Sequence, residues 1–190
     1  MKLFRGFAVL AMLPALAAGT AQGQDPAPPN AAPSEEHTYL NQFVGEWRTT
    51  GKGTDPSGKE TDLTGFEFDR MVLGDFWLFF VYNSQMNGKP YVGHGMIGYD
   101  PARKKYIGSW VDSMSPYMGS FEGTADREKK TLTLNVSGTD PATGKACKGK
   151  MVFDFQDADH RNLKSYRIDD SGGEKLAYEL HYTREQPQSK

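Results

Sequence analysis

Beyond Gly45 the chain loses any helical period, and apolar residues recur at every second position instead. Phe66 and Phe68 alternate in this way, as do Leu132 and Leu134, Val152 with Asp154, and Leu176, Tyr178, Leu180 and Tyr182. Period two predicts strands with one face turned to a core. The run 76–82, FWLFFVY, is apolar at every position. It predicts a strand covered on both faces, by a short helix or by the contents of a closed barrel. Turn residues punctuate the runs at steady spacing. They are Asp55-Pro56-Ser57-Gly58, Leu73-Gly74-Asp75, Asn87-Gly88, Asp100-Pro101, Ser115-Pro116, Asp126-Arg127, Asp140 to Gly144, Asp157-Ala158-Asp159 and Ser171-Gly172-Gly173. These nine turns mark off ten runs. Asn-Gly is the strongest hairpin signal among them, because both residues accept positive φ. Ahead of the strands, Ser34 can cap a short helix that puts Leu40, Phe43 and Val44 on one face, and Gly45 stands where it would stop.

Antiparallel strands joined by tight turns make a meander, and closing it removes the exposed edges. The expected fold is all-β: an antiparallel up-and-down β-barrel of about ten strands with a short N-terminal helix. A two-sheet sandwich is the alternative; regular spacing and the lack of a long crossover favour the barrel. A barrel of this size has room for one small ligand or a packed core.

The start of the chain has a different character. Lys2 and Arg5 precede an apolar run from Gly6 to Ala18, too short to span a bilayer, and small residues Ala17, Gly19, Ala21 and Gly23 follow. Residues 1–23 are expected to be a signal peptide cut after Ala21 or Gly23, with an uncleaved anchor as the alternative. The expected location is therefore periplasmic or secreted, with no membrane span after signal removal. Residues 24–34 carry four Pro in QDPAPPNAAP and are expected to be a disordered linker. The barrel domain is expected over 35–186, with a disordered tail at 187–190.

Composition narrows the function. The 190 residues are 37% hydrophobic and 24% charged, with a formal charge of −2, which excludes a disordered chain and argues against a nucleic-acid partner. Cys147 is the only cysteine, so no internal disulfide can form and the core must hold the fold. Cys147 is expected on a strand, not as a nucleophile.

Gly45-Glu46-Trp47 opens the first strand and Tyr182-Thr183-Arg184 closes the last. This pairing resembles the calycin superfamily of lipocalins, fatty-acid-binding proteins and nitrobindin-like proteins. The resemblance implies that Gly45, Trp47 and Arg184 form a structural signature, with the indole plugging the barrel floor under the guanidinium. Gly98-Tyr99-Asp100-Pro101, the stretch from Lys104 to Ser115, Glu122-Gly123, Thr131 to Leu134, Pro141 with Thr143-Gly144-Lys145, and the closing Tyr182-Thr183-Arg184 are similar to a bacterial family known as domain of unknown function 1579. That likeness runs from about His37 to Arg184 and implies an exported calycin-like barrel without an assigned activity.

Candidate chemistry is sparse. Tyr106, Gly108, Trp110 and Asp112 share one face of a strand, and a carboxylate beside a Trp inside a barrel can bond a ligand head or act as an acid or base. The alternative is an Asp that bonds the neighbouring turn. His94 lies between Gly93 and Gly95, where a ligand or a second backbone can approach, or where a bent strand turns the His to solvent. Trp110, Asp112, Tyr106, His94 and Tyr178 are the candidate ligand contacts. No metal site or cofactor is expected, since the His spacing lacks a ligand pattern. Resemblance to nitrobindin-like barrels would bring a haem through His181, but alternation with Tyr182 and Arg184 turns His181 outward. The leading expectation is an exported barrel that binds a small apolar or amphipathic molecule. The alternatives are an enzyme using Asp112 with His94, a haem barrel, and a packed structural or interaction barrel.

Overall fold

In a computed structural model the described residues are 32–54, 59–86 and 88–186. The expected signal, most of the linker, the Asp55–Gly58 turn, Asn87 and the last four residues lie outside them.

A short helix α1 (Glu35–Tyr39) runs into a 3-10 turn (Leu40–Gln42). Ser34 caps it, donating its N–H to His37 Nδ1 at 3.1 Å. Ten strands follow: β1 (Gly45–Thr54), β2 (Glu60–Val72), β3 (Trp77–Met86), β4 (Lys89–Asp100), β5 (Lys105–Asp112), β6 (Ser115–Asp126), β7 (Thr131–Thr139), β8 (Ala146–Phe155), β9 (His160–Ile168) and β10 (Glu174–Arg184). Each pairs antiparallel with its chain neighbours, and β1 pairs with β10 to close the barrel. The barrel, not the sandwich, is the fold. Closure leaves no sheet edge unpaired, which is the physical reward for a ten-strand meander.

The Asp-led turns work as their residue types dictate. Asp100 Oδ1 accepts from the N–H groups of Ala102 and Arg103, and Asp140 Oδ1 does the same for Ala142 and Thr143. Leu73, Gly74 and Asp75 all take positive φ in the β2–β3 turn. The turn expected at Ser115-Pro116 falls at Ser113-Met114, and both expected turn residues begin β6.

Three runs present a different face from the one expected. Phe66 and Phe68 point outward, so Glu67 and Asp69 are the buried residues of β2. Val152 and Asp154 are likewise outward, and Phe153 and Phe155 fill the core. Leu176 leaves the inward face because a bulge shifts the register between Leu176 and Tyr178, and it is 43% exposed. The 76–82 run is inward at Leu78, Phe80 and Tyr82, while Trp77, Phe79 and Val81 lie half-buried on the outer wall. Among the described residues no second layer covers them there. Long neighbours do: the Arg70 guanidinium lies 5.7 Å from the Phe79 ring.

The two ends of the barrel differ. At the end where β1 begins, α1 and its 3-10 turn cover the opening. Leu40 and Phe43 are buried, and Phe43 meets Phe153 and Phe155 edge-on. Inward positions then become less buried toward the other end. On β7, Leu132 and Leu134 are buried whereas Val136 and Gly138 are half-buried. On β8 the series Phe155, Phe153, Met151, Gly149, Cys147 runs from buried to exposed. Among the described residues the barrel is covered at one end and open at the other, with Cys147 on a strand at the open rim.

Candidate functional site

The floor of the interior is an ionic and aromatic cluster. Trp47 on β1 stands directly across from Arg184 on β10 and donates Nε1–H to the Phe43 carbonyl at 2.7 Å. The Arg184 guanidinium lies 4.1 Å from the indole centroid and donates to the Val44 and Ala158 carbonyls. Gly45 is required here: its φ is +141°, and a Cβ would sit 2.1 Å from Arg184 Nη1. Gly45, Trp47 and Arg184 thus meet at one point of the floor.

A second arginine joins it. Arg161 on β9 is 1% exposed and lies 4.3 Å from the Trp47 ring, 4.4 Å from Tyr182 and 4.8 Å from Phe43. Its Nη2 donates to Glu67 at 2.5 Å and to Asp69 at 2.8 Å, and its Nη1 to the Phe43 carbonyl at 3.1 Å. Burial raises the pKa of Glu67 well above the carboxylate range, and the charge of Asp69 adds to the rise. Burial raises Asp69 as well, against the pull of Arg161. Two acids thus face one guanidinium. Asp69 Oδ1 and Arg161 Nε have no hydrogen-bond partner.

Above this floor the open half is lined by half-buried aromatic residues with polar tips. Tyr82, Tyr91, Trp110 and Tyr178 all point inward there. Trp110 donates to Asp112 Oδ2 at 3.2 Å, and Asp112 Oδ1 accepts from the Met114 N–H at 2.8 Å, so this carboxylate serves both the interior and its turn. Tyr82 and Thr49 share a hydroxyl contact of 3.3 Å. Burial raises the pKa of Tyr82, Tyr91 and Tyr178, which keeps them as neutral phenols. Gly93 makes room for this lining, because a Cβ there would sit 1.9 Å from the Trp110 ring.

Of the five candidate contacts, Trp110, Asp112 and Tyr178 line the open half. Tyr106 is inward but buried at the sealed end, where its hydroxyl donates to Glu36 Oε2 at 2.5 Å. His94 is placed elsewhere: it is exposed on the outer wall, 5.8 Å from Phe79. Asp112 pairs across the ladder with Gly93 and Val111 with His94, so Asp112 and His94 point to opposite sides of the wall. They do not converge as an acid–base pair. His181 is outward, as alternation requires, and its Nδ1 meets Asn162 Oδ1 at 2.8 Å. His160 lies exposed beside Asp157, and His37 is buried under the helix against Phe76 and Tyr99. No histidine lines the open interior, so these residues do not fit a haem held there by an imidazole.

Glu67, Asp69 and Arg161 were not singled out from sequence. Their signal was Gly65, Glu67, Asp69 and Met71 at one parity of β2, masked by the apolar Phe66 and Phe68 at the other. Two hollows lie on the outer wall. One, of about 710 Å³, has Trp77, Met96, Arg103, Ile107 and Asn135 in its lining; the other, of about 450 Å³, lies beside Arg48, Thr64 and Phe66.

Residues 32–184 match the model of a family described as protein of unknown function, DUF1579. The chain belongs to that family. No curated protein matches it. Among solved structures, the DUF1579 barrel is similar to Rv2717c from M. tuberculosis, with 14% identity and a TM-score of 0.60 over 80% of this chain and 99% of that one. It is also similar to the S-type phycobiliprotein lyase CPES from Guillardia theta, with 13% identity and a TM-score of 0.53 over 82% of this chain and all of that one. At these identities the likeness is one of fold alone.

Proposed function

We propose that this protein is an exported barrel that binds a small apolar or amphipathic molecule in the open half of its interior. The carrying observation is the gradient of burial along the inward positions, from the sealed floor to the half-buried Tyr82, Tyr91, Trp110 and Tyr178. A concave aromatic lining with a few polar tips suits a ligand site. Trp110, Asp112 and Tyr178 are the proposed contacts from the sequence reading, joined by Tyr82 and Tyr91. One similar barrel is by name a phycobiliprotein lyase, which lends support to an interior that does more than pack. The separation of Asp112 from His94 removes the support for an acid–base pair. Export rests on the charge and hydropathy pattern of residues 1–23.

Titration with an environment-sensitive fluorescent fatty acid tests the binding, and Trp110→Ala is expected to weaken it. No binding of any apolar probe at high micromolar concentration would favour a packed barrel instead. Native mass spectrometry of protein from its own host identifies a co-purified molecule. N-terminal sequencing of exported protein is expected to begin at Gln22 or Gln24; a start at Met1 would refute the signal.

A further inference from the structure

We propose that the molecule bound in this interior carries a cationic head, an ammonium or similar group, seated against Glu67 at the barrel floor with its apolar part toward the mouth. The inference rests on the interior-binding function and names the ligand class for that site.

The floor is short of one positive charge. Glu67 and Asp69 share the inward face of β2, and among the described residues Arg161 is the one cation bonded to them. Arg184 acts on Asp69 at longer range but is committed to Asp159, at 3.3 Å, and to two backbone carbonyls. An unpaired buried charge is costly, so the empty floor must hold a proton or a cation. The partnerless Asp69 Oδ1 marks the same deficit on the donor side.

Glu67 is the member of the cluster that a ligand can reach. Its side chain keeps 8% exposure, against 0% for Asp69 and 1% for Arg161. Arg161 occupies Oε1, the Tyr182 hydroxyl lies 3.4 Å from Oε2, and the Glu67 and Asp69 carboxyls also hydrogen-bond each other, a bond that needs a proton between them. Tyr82 stands directly across the ladder from Glu67, and burial, with Glu67 as a lesser cause, raises the pKa of Tyr82, Tyr178 and Tyr182 around it. A carboxylate surrounded by aromatic rings is a cation site: the acid supplies charge and the ring faces supply quadrupole attraction. It disfavours a carboxylate head, which would place a third acid beside two.

Burial and the mutual repulsion of the two acids favour a proton shared by the Glu67–Asp69 pair in the empty site, which a bound cation displaces. Affinity for a permanent cation therefore rises with pH, and binding releases a proton. The groups facing Glu67 are Asp69 from β2, Arg161 from β9, Tyr82 from β3, and Tyr178 and Tyr182 from β10, with Thr49 from β1 uncharged. Asp112 on β5 is the other acid of the interior, nearer the mouth.

The test compares dodecyltrimethylammonium, dodecanol and dodecanoate, each below its aggregation concentration, by calorimetry on the full barrel. The cation is expected to bind about tenfold tighter than either partner, as a desolvated cation–π contact with a charge pair provides. Its heat should differ between phosphate and Tris at pH 7 by the proton released, and its affinity should rise between pH 6 and 8. In Glu67→Gln, which keeps an acceptor for Arg161, the preference should fall to about twofold or less, while Glu179→Gln on the outer face of β10 leaves it intact. Equal or tighter binding of dodecanoate overturns the cationic head and leaves the binding function standing. So does a preference that follows Asp112 instead of Glu67. If Glu67→Gln fails to fold, the buffer-dependent heat and the pH trend of the unaltered protein decide the matter. Absence of binding by all three compounds overturns the binding function and this inference together.

Discussion

Replacing Arg161 by Met probes the floor most directly. Met keeps an unbranched stem in the sealed end and removes the guanidinium. The loss comprises charge-assisted bonds to Glu67 at 2.5 Å and Asp69 at 2.8 Å, one bond to the Phe43 carbonyl, and the stacking on three rings. Two buried carboxyl groups remain with no bonded cation. Removing one partner of a buried pair costs about 3–5 kcal/mol. The carboxyls can escape part of this by taking up protons, so the terms do not simply add, and about 4 kcal/mol is expected at pH 7. Each proton held by the variant and not by the parent changes the difference by about 1.4 kcal/mol per pH unit. The loss must therefore shrink toward pH 5. The parent obeys the same sign. Glu67 and Asp69 are raised in the folded state, so their contribution is fullest below the ordinary carboxylate range and declines as pH rises through their raised values. Urea unfolding followed by tryptophan fluorescence at pH 5 and pH 7 measures both effects. A loss below about 1 kcal/mol at pH 7, or one that grows as the pH falls, would refute the account. Adding Glu67→Gln and Asp69→Asn to the same chain should restore much of the stability, because no charge is then stranded.

Arg184→Ala should cost roughly 2–3 kcal/mol in the same assay through lost stacking and stem packing, and Arg184→Lys should recover only part of it. Glu185→Ala should stay within about 0.5 kcal/mol, since its pair with Arg48 is solvent-exposed. Gly93→Ala drives a Cβ into the Trp110 ring and should cost about 1–3 kcal/mol, with a shift in tryptophan emission; an unchanged spectrum would contradict the covered glycine. His181→Ala should leave stability within about 0.5 kcal/mol and the fluorescent fatty acid bound as before; a haem Soret band that disappears in this variant would overturn its outward placement.

Much of the fold was legible because its punctuation is local. Asp100, Asp140 and Asp126 bond the backbone two or three residues ahead, so their turns depend on almost nothing else in the chain. Trp47 and Arg184 were readable together through the family resemblance, and Arg184 also through its alternation with Leu180 and Tyr182. β2 was read on the wrong face because both parities are plausible. Burying Phe66 and Phe68 satisfies hydropathy, whereas burying Glu67 and Asp69 is stable only with Arg161, nearly a hundred residues away in sequence. Leu176 failed for a different reason. A single extra residue in the ladder inverts everything on one side of it, and alternation carries no signal for a bulge. His94 could have been placed by its flanking glycines once Trp110 was known to cover Gly93, but that contact crosses strands.

The seam between β1 and β10 has a consequence for how the chain matures. Every other ladder joins consecutive strands and can form as soon as its second strand exists, but Trp47 meets Arg184 only when the last strand has been made. Until then β1 is an open edge, and the floor lacks Tyr182 and Arg184 although Arg161 is already in place. A nascent chain can therefore assemble a curled sheet but not a shut barrel, and this late step demands the closing of the longest loop in the domain.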